Sequence, residues 1–196
     1  SPIAFVGVRS VASLTPAPMA ANAKLEWLPQ ETIFFDAAEV QLSQSISLAK
    51  DATYIGCEIL CFGRTASGES FNRGKISQRT SIRREGKLIW WEQGGLSGGS
   101  PSMRSPLGLA GKSVCATLIA TGKPLSAALL NTIRHEVGDI IGDDGQFGIS
   151  QLKSVLVARY LGNSSEIARR VMLCVWHHIR PELMGCAAVV PRIWNT

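Results

Sequence analysis

The chain is short of charge: of its 196 residues only 18% are Asp, Glu, Lys or Arg, against 45% apolar ones. That balance excludes a disordered chain and fits a globular one with a core of its own. No basic run reaches five residues, so the net charge of +5 permits an acidic or nucleic-acid partner without demanding one. No apolar run is long enough to span a bilayer, which reads as no membrane partner. Cysteine is scarce too. Five is an odd number, and the spacings fit no disulfide framework, which points to a reduced, cytoplasmic compartment. The first residues lack a charged segment followed by an apolar one, so no signal peptide is expected. The starting residue is Ser1 and not Met, and the start reads as processed or truncated. There is no internal repeat, and the length suits one domain, or one domain and a piece of another.

What is present is mostly β pattern. Residues 1–23 read as loop with one short strand at Ala4–Val8. From Lys24 to about Thr121, short β-rich runs follow one another. Tyr54–Phe62 is apolar on both faces: Ile55, Cys57, Ile59 and Cys61 share one, and Tyr54, Gly56, Glu58, Leu60 and Phe62 share the other. Such a strand is buried on both sides. In Phe71–Arg83, Ile76, Gln78, Thr80 and Ile82 share one face and Arg73, Lys75, Arg79 and Arg83 the opposite one. Glu85-Gly86 makes a two-residue hairpin turn, which sets Ile82 against Ile89, Thr80 against Trp91 and Arg79 against Glu92. Gly94–Gly111 reads as a long loop, Lys112–Thr121 and Ile149–Tyr160 as strands, and Pro124–Val137 as a helix. A second helix is expected after Asn163, with Asn163 as cap, Glu166 reaching back, and Pro181 and Gly185 as the stop.

Several groups invite a chemical reading. Gly111-Lys112-Ser113 has the end of a phosphate loop, but Pro106 stands where the first glycine belongs and has no amide hydrogen to offer. Cys174 and His178, one turn apart, could be a metal pair, although two ligands fall short of a site and a half-buried packing role accounts for them. Cys57 and Cys61 share a strand face about 13 Å apart, too far for one ion. His135, Asp139, Asp143 and Asp144 come with no nucleophile pattern, and Asp143-Asp144-Gly145 reads as a turn. The basic face of Arg73, Lys75, Arg79 and Arg83 could hold an acidic protein or nucleic acid; it lacks interleaved aromatics. Glu58 stands out. A carboxylate in a strand with two apolar faces must be paired, hydrogen-bonded, protonated or bound to a cation. An ion pair with Arg64 is the structural alternative for it, and Arg79 is that for Glu92.

Several segments, in order, carry a family resemblance. Leu25-Glu26-Trp27-Leu28-Pro29-Gln30-Glu31-Thr32-Ile33-Phe34-Phe35, Cys57–Arg64, Leu156–Gly162, Arg180-Pro181 and Pro191-Arg192-Ile193-Trp194-Asn195-Thr196 resemble segments of the urease accessory protein UreD (UreH). The likeness covers residues 24–196 as a UreD-like domain, leaving 1–23 as a non-matching segment. It implies a mainly β fold: a layered, helix-like β-sheet scaffold with a small C-terminal part of two α-helices. It also implies a non-enzymatic scaffold that docks on apo-urease with UreF and the GTPase UreG, binding no nucleic acid. No tightly bound cofactor is implied; nickel passes transiently through an internal polar tunnel. Glu58 and Glu92 match acidic tunnel positions, and carboxylate oxygens suit such a relay of a divalent cation. In the apolar tail, Arg192, Ile193 and Trp194 are the candidate partner contacts. The family's N-terminal Gly-Gly-Asp and Lys-x-Tyr-Arg segments are not present, so the expectation is a chain truncated on that side and intact at its C-terminal end. The rival expectation is a β-rich adaptor that binds an acidic protein or nucleic acid through the basic strand face.

Overall fold

The structure, a computed structural model, describes residues 4–5, 9–14, 20–143 and 145–190. The chain is mainly β. Its strands are β1 (Ala4–Phe5), β2 (Arg9–Leu14), β3 (Lys24–Trp27), β4 (Thr32–Phe34), β5 (Glu39–Leu48), β6 (Thr53–Phe62), β7 (Lys75–Arg84), β8 (Lys87–Ser97), β9 (Val114–Thr121), β10 (Gln146–Leu152) and β11 (Val155–Gly162). Its helices are α1 (Pro101–Arg104), α2 (Ala127–Ile141) and α3 (Ser165–Met184).

Two sheets result. The first runs β1-β4-β6-β9-β11-β10, with β3 also paired to β6; the second runs β2-β5-β7-β8. From β1 to β7 the chain passes back and forth between them, with β3 and β4 both in the first; β8 then stays in the second sheet and β9, β10 and β11 in the first. β1, β4 and β6 pair in parallel in one sheet, and β2, β5 and β7 in the other. The chain therefore winds from sheet to sheet and stacks each coil on the last, which is the helix-like layering expected. The corners stack as well. Asp36 Oδ1 accepts the amides of Asn72 and Arg73 at 2.7 and 2.8 Å, and Lys75 N donates to Ala38 O. Gly74 at that corner has φ +99° and no room for a Cβ, which would lie 2.3 Å from Ala38 O.

The strand with two apolar faces is central, as its pattern requires. Ile55, Cys57, Ile59 and Cys61 of β6 point into a core built with α2 and α3, where Ile133, Val137, Val171, Val175 and Ile179 are fully buried. The opposite face of β6 looks across to the second sheet. The molecule is thus three layers: helices, a large sheet and a smaller sheet.

Local expectations change in several places. The single strand expected over Ile149–Tyr160 is a hairpin of β10 and β11 that turns at Lys153 (φ 53°), and α1 lies within the loop expected over Gly94–Gly111. Residues 94–97 belong to β8 and not to a loop, with Gly95 paired to Ser77 and Gly94 to Gln78. β2 is a strand where loop was expected, because its backbone continues the parallel stack onto β5; residues 6–8 of the expected Ala4–Val8 strand lie outside the described residues. Ser164, not Asn163, caps α3 by accepting the Ile167 amide at 3.2 Å, and Asn163 Oδ1 accepts Ser113 N instead. α3 runs through Pro181 to Met184, since a proline in the last turn removes only a terminal bond, and left-handed Gly185 (φ 67°) ends it. Asp144 and the tail 191–196, with Arg192, Ile193 and Trp194, lie outside the described residues.

Candidate functional site

Alternation along β6 places Tyr54, Glu58, Leu60 and Phe62 between the sheets, and the layer they enter is not uniform. At one end Tyr54 joins Ile46, Leu48, Ile82, Ile119 and Val157 in an apolar cluster. At the other, Leu60 and Phe62 join Phe34, Val40, Phe71 and Ile76. Between the clusters polar side chains face inward: Gln44 on β5, Glu58 on β6, Gln78 and Thr80 on β7, Glu92 on β8, Thr117 on β9 and Arg159 on β11. A polar belt therefore crosses the sandwich and divides its core in two.

Glu58 sits within this belt. The Gln78 side-chain amide donates to its Oε2. Burial pushes the Glu58 carboxyl up to about 7; the Gln78 hydrogen bond opposes the rise and the negative charge of Glu92 adds to it. Arg64, the expected ion-pair partner, is elsewhere: it pairs with Glu69 at 2.9 Å and lies over the Phe35 ring. Nearby, the Tyr54 ring folds back over Gly56, so that a Cβ on Gly56 would lie 2.0 Å from the tyrosine hydroxyl. That hydroxyl and Trp90 Nε1 are buried without a hydrogen-bond partner among the described residues. Burial, then the Glu58 charge, holds the Tyr54 phenol protonated.

Glu92 reaches the belt because of a bulge. The β7–β8 pairing begins with Arg84 opposite Lys87 and Arg83 opposite Leu88, then slips so that Ile82 meets Trp90 and Thr80 meets Glu92. Ile89 is the extra residue. One inserted residue exchanges the faces of everything beyond it. Glu92 turns inward, away from Arg79, and binds Arg159 of β11 at 2.6 Å. Trp91 turns outward, 50% exposed, and Arg79 lies 5.9 Å over its ring. So the basic face does carry an aromatic, although Arg73 is held by Asp36 and Arg83 donates to Gly86 O.

Two open cavities of about 500 and 440 Å³ meet at Gln78, Glu92, Gly108, Leu109 and Cys115. Burial first, and then the Glu58 charge, pushes the Cys115 thiol up to about 12. The belt thus offers one carboxyl poised to gain or lose a proton near neutrality, a second carboxylate shared with an arginine, and amide and hydroxyl oxygens. Oxygen donors of this kind are the ones a divalent cation can take as ligands, and here they are too few and too spread to form a closed shell. Gln78 was legible, with Thr80, as a polar residue on the strand face that Ile76 and Ile82 mark as inward; Arg159 carried no comparable signal.

Residues 15–195 match the family model described as UreD urease accessory protein. The chain belongs to the UreD family. It is 58% identical to the urease accessory protein UreD of Nitrosospira multiformis, over 90% of this chain and 63% of that protein. It is 61% identical to the UreD of Janthinobacterium sp. (strain Marseille), over 90% of this chain and 59% of that one. With the UreD of Nitrosococcus oceani the identity is 43%, over 100% of this chain and 66% of the relative. The chain therefore spans about three fifths of the length of the curated relatives it matches.

The UreD-like segment that begins at Leu25 is a strap on α3. Glu26 on β3 accepts Trp176 Nε1 at 2.7 Å and the Nε and Nη2 edge of the Arg180 guanidinium at 2.9–3.0 Å. Glu31 pairs with Arg169, and Lys24 Nζ donates to the terminal carbonyl of Met184 at 2.7 Å. This strap closes the helical layer over the face of β6 opposite Glu58.

Proposed function

We propose that this chain is part of a non-catalytic scaffold of urease maturation, working in the cytoplasm in complex with UreF, UreG and apo-urease. In this reading the belt between the sheets conducts nickel, the cargo, towards the urease apoprotein. Family membership supports the maturation role. The observation that carries the belt's role is Glu58, an ionisable carboxyl kept in a sandwich core whose neighbours at both ends are apolar. Unused polarity in such a place costs stability, and hydrophobic replacement would be the cheaper solution. Glu58 with Gln78 supplies transient oxygen ligands, and Glu92 adds another when it exchanges Arg159 for the ion.

The test uses the full-length protein with its partners. Glu58→Gln keeps the shape and removes the ionisable group. The complex is expected to form as before, and nickel per urease to fall about 10-fold or more. An intact complex with fully loaded urease would remove the belt from the pathway, and so would loss of the complex itself, which marks Glu58 as structural.

A further inference from the structure

A second cluster lies on the opposite side of the large sheet, where α2 meets α3. Cys174 and His178 are one turn apart on α3, at the margin of its buried face. Sequence alone leaves them as a pair. Packing of α2 adds a third member: Glu136 Oε2 lies 2.9 Å from His178 Nε2 and 3.7 Å from Cys174 Sγ. All three ligand atoms lie within 4.8 Å of one another. Tetrahedral coordination with bonds of about 2.0–2.3 Å separates its ligands by roughly 3.3–3.8 Å. The Glu136–Cys174 spacing of 3.7 Å falls within that range and the Glu136–His178 spacing of 2.9 Å below it, so admitting an ion requires the exposed Glu136 side chain to swing back from His178.

We propose that Glu136, Cys174 and His178 bind one divalent late-transition-metal ion, of the nickel or zinc kind. A thiolate, an imidazole and a carboxylate are the wrong donors for magnesium or calcium and the right ones for this class. The two helices set the selectivity by different means. Cys174 and His178 are fixed by the backbone of a helix whose next positions, Val175 and Ile179, are fully buried. Glu136 precedes buried Val137, yet half of its side chain is exposed. The site is therefore rigid on one side and open on the other. Three protein ligands leave one position for water or for a donor from an incoming protein, as in exchangeable and catalytic sites. This site stands apart from the belt, because β6 and its neighbours lie between them, and it does not depend on the nickel passage.

The experiment is a titration of the metal-free full-length protein with Co²⁺ alone and Ni²⁺ alone. Co²⁺ is expected to give a thiolate-to-metal absorption band that Cys174→Ser abolishes and that Cys186→Ser, at the exposed thiol, and Cys115→Ser, at the thiol lining the cavities of the belt, both retain. Ni²⁺ stoichiometry should fall by one in Cys174→Ser, and the affinity should weaken about 100-fold in His178→Ala. Glu58→Gln should keep the cobalt band, which separates this site from the belt. If an α3 variant fails to fold, Glu136→Gln on the exposed side is read the same way. No thiolate band in the unmodified protein overturns the proposal. So does a band that follows Cys186 or Cys115, or variants that lose thermal stability while binding Co²⁺ as before, since the three residues would then be only a contact between helices.

Discussion

At the scale of the residue, Glu58 and Gly56 define what the belt costs. The Glu58 carboxyl is held at about 7 by burial, against an ordinary 4.5. The fold therefore binds this proton more tightly than the unfolded chain does. The cost of ionising Glu58 is nearly absent below pH 4.5, grows between 4.5 and 7, and is fully present above. Glu58→Gln removes it. The variant is expected to gain up to about 3 kcal/mol at pH 8 and less than about 1 kcal/mol at pH 5, measured by urea unfolding at both. Equal gains at the two values would contradict the burial argument. Gly56 answers to a different force. A methyl there meets the Tyr54 hydroxyl at 2.0 Å, so Gly56→Ala must displace the ring from its buried position. A loss of about 2–3 kcal/mol is expected on thermal or urea unfolding, with Tyr54→Phe/Gly56→Ala doing somewhat better because the hydroxyl is gone.

Among elements, β3 and α3 are joined by charge as much as by apolar contact. Glu26 takes the guanidinium of Arg180 and the indole of Trp176 at a site where the two charged side chains are 23% and 21% exposed. Removing one partner strands the other. Glu26→Ala should cost about 2–3 kcal/mol, and a double-mutant cycle with Arg180→Ala should return most of that as coupling. Additive losses would mean that the strap holds by Leu28 and backbone pairing alone. The same scale explains which features were legible. Two apolar faces on β6 announced a central strand, and period-two alternation assigned the inward residues of β7. Alternation fails at an inserted residue: the bulge at Ile89 leaves no mark in composition, yet it exchanges Trp91 and Glu92 between outside and inside. Glu136 meets His178 for a related reason. They are 42 residues apart, and only the packing of two helices on one sheet brings them together.

For the whole molecule, the winding between sheets explains why a polar belt can persist in a core. The chain passes between the sheets as far as β7, and polar residues face inward from both: Gln44, Thr80 and Glu92 lie in register in the smaller sheet with Gln78 one inward position along β7, and Glu58, Thr117 and Arg159 lie in register in the larger. Two apolar clusters on either side keep the sheets together, so the middle level need not contribute to stability. A direct consequence can be measured. Glu58→Leu with Gln78→Leu fuses the two clusters through the level between them, replacing a buried carboxyl and its amide by side chains of similar volume. Such replacements are often neutral or stabilising by about 1–4 kcal/mol. The double variant is therefore expected to melt at the same temperature or several degrees higher, and to keep its complex with partner proteins while delivering less nickel to urease. A fall in melting temperature would show the belt to be a structural hydrogen-bond network. A rise with undiminished delivery would leave its polarity without a function in transport. Only the combination of greater stability and poorer delivery fits a core whose polarity is maintained for an ion.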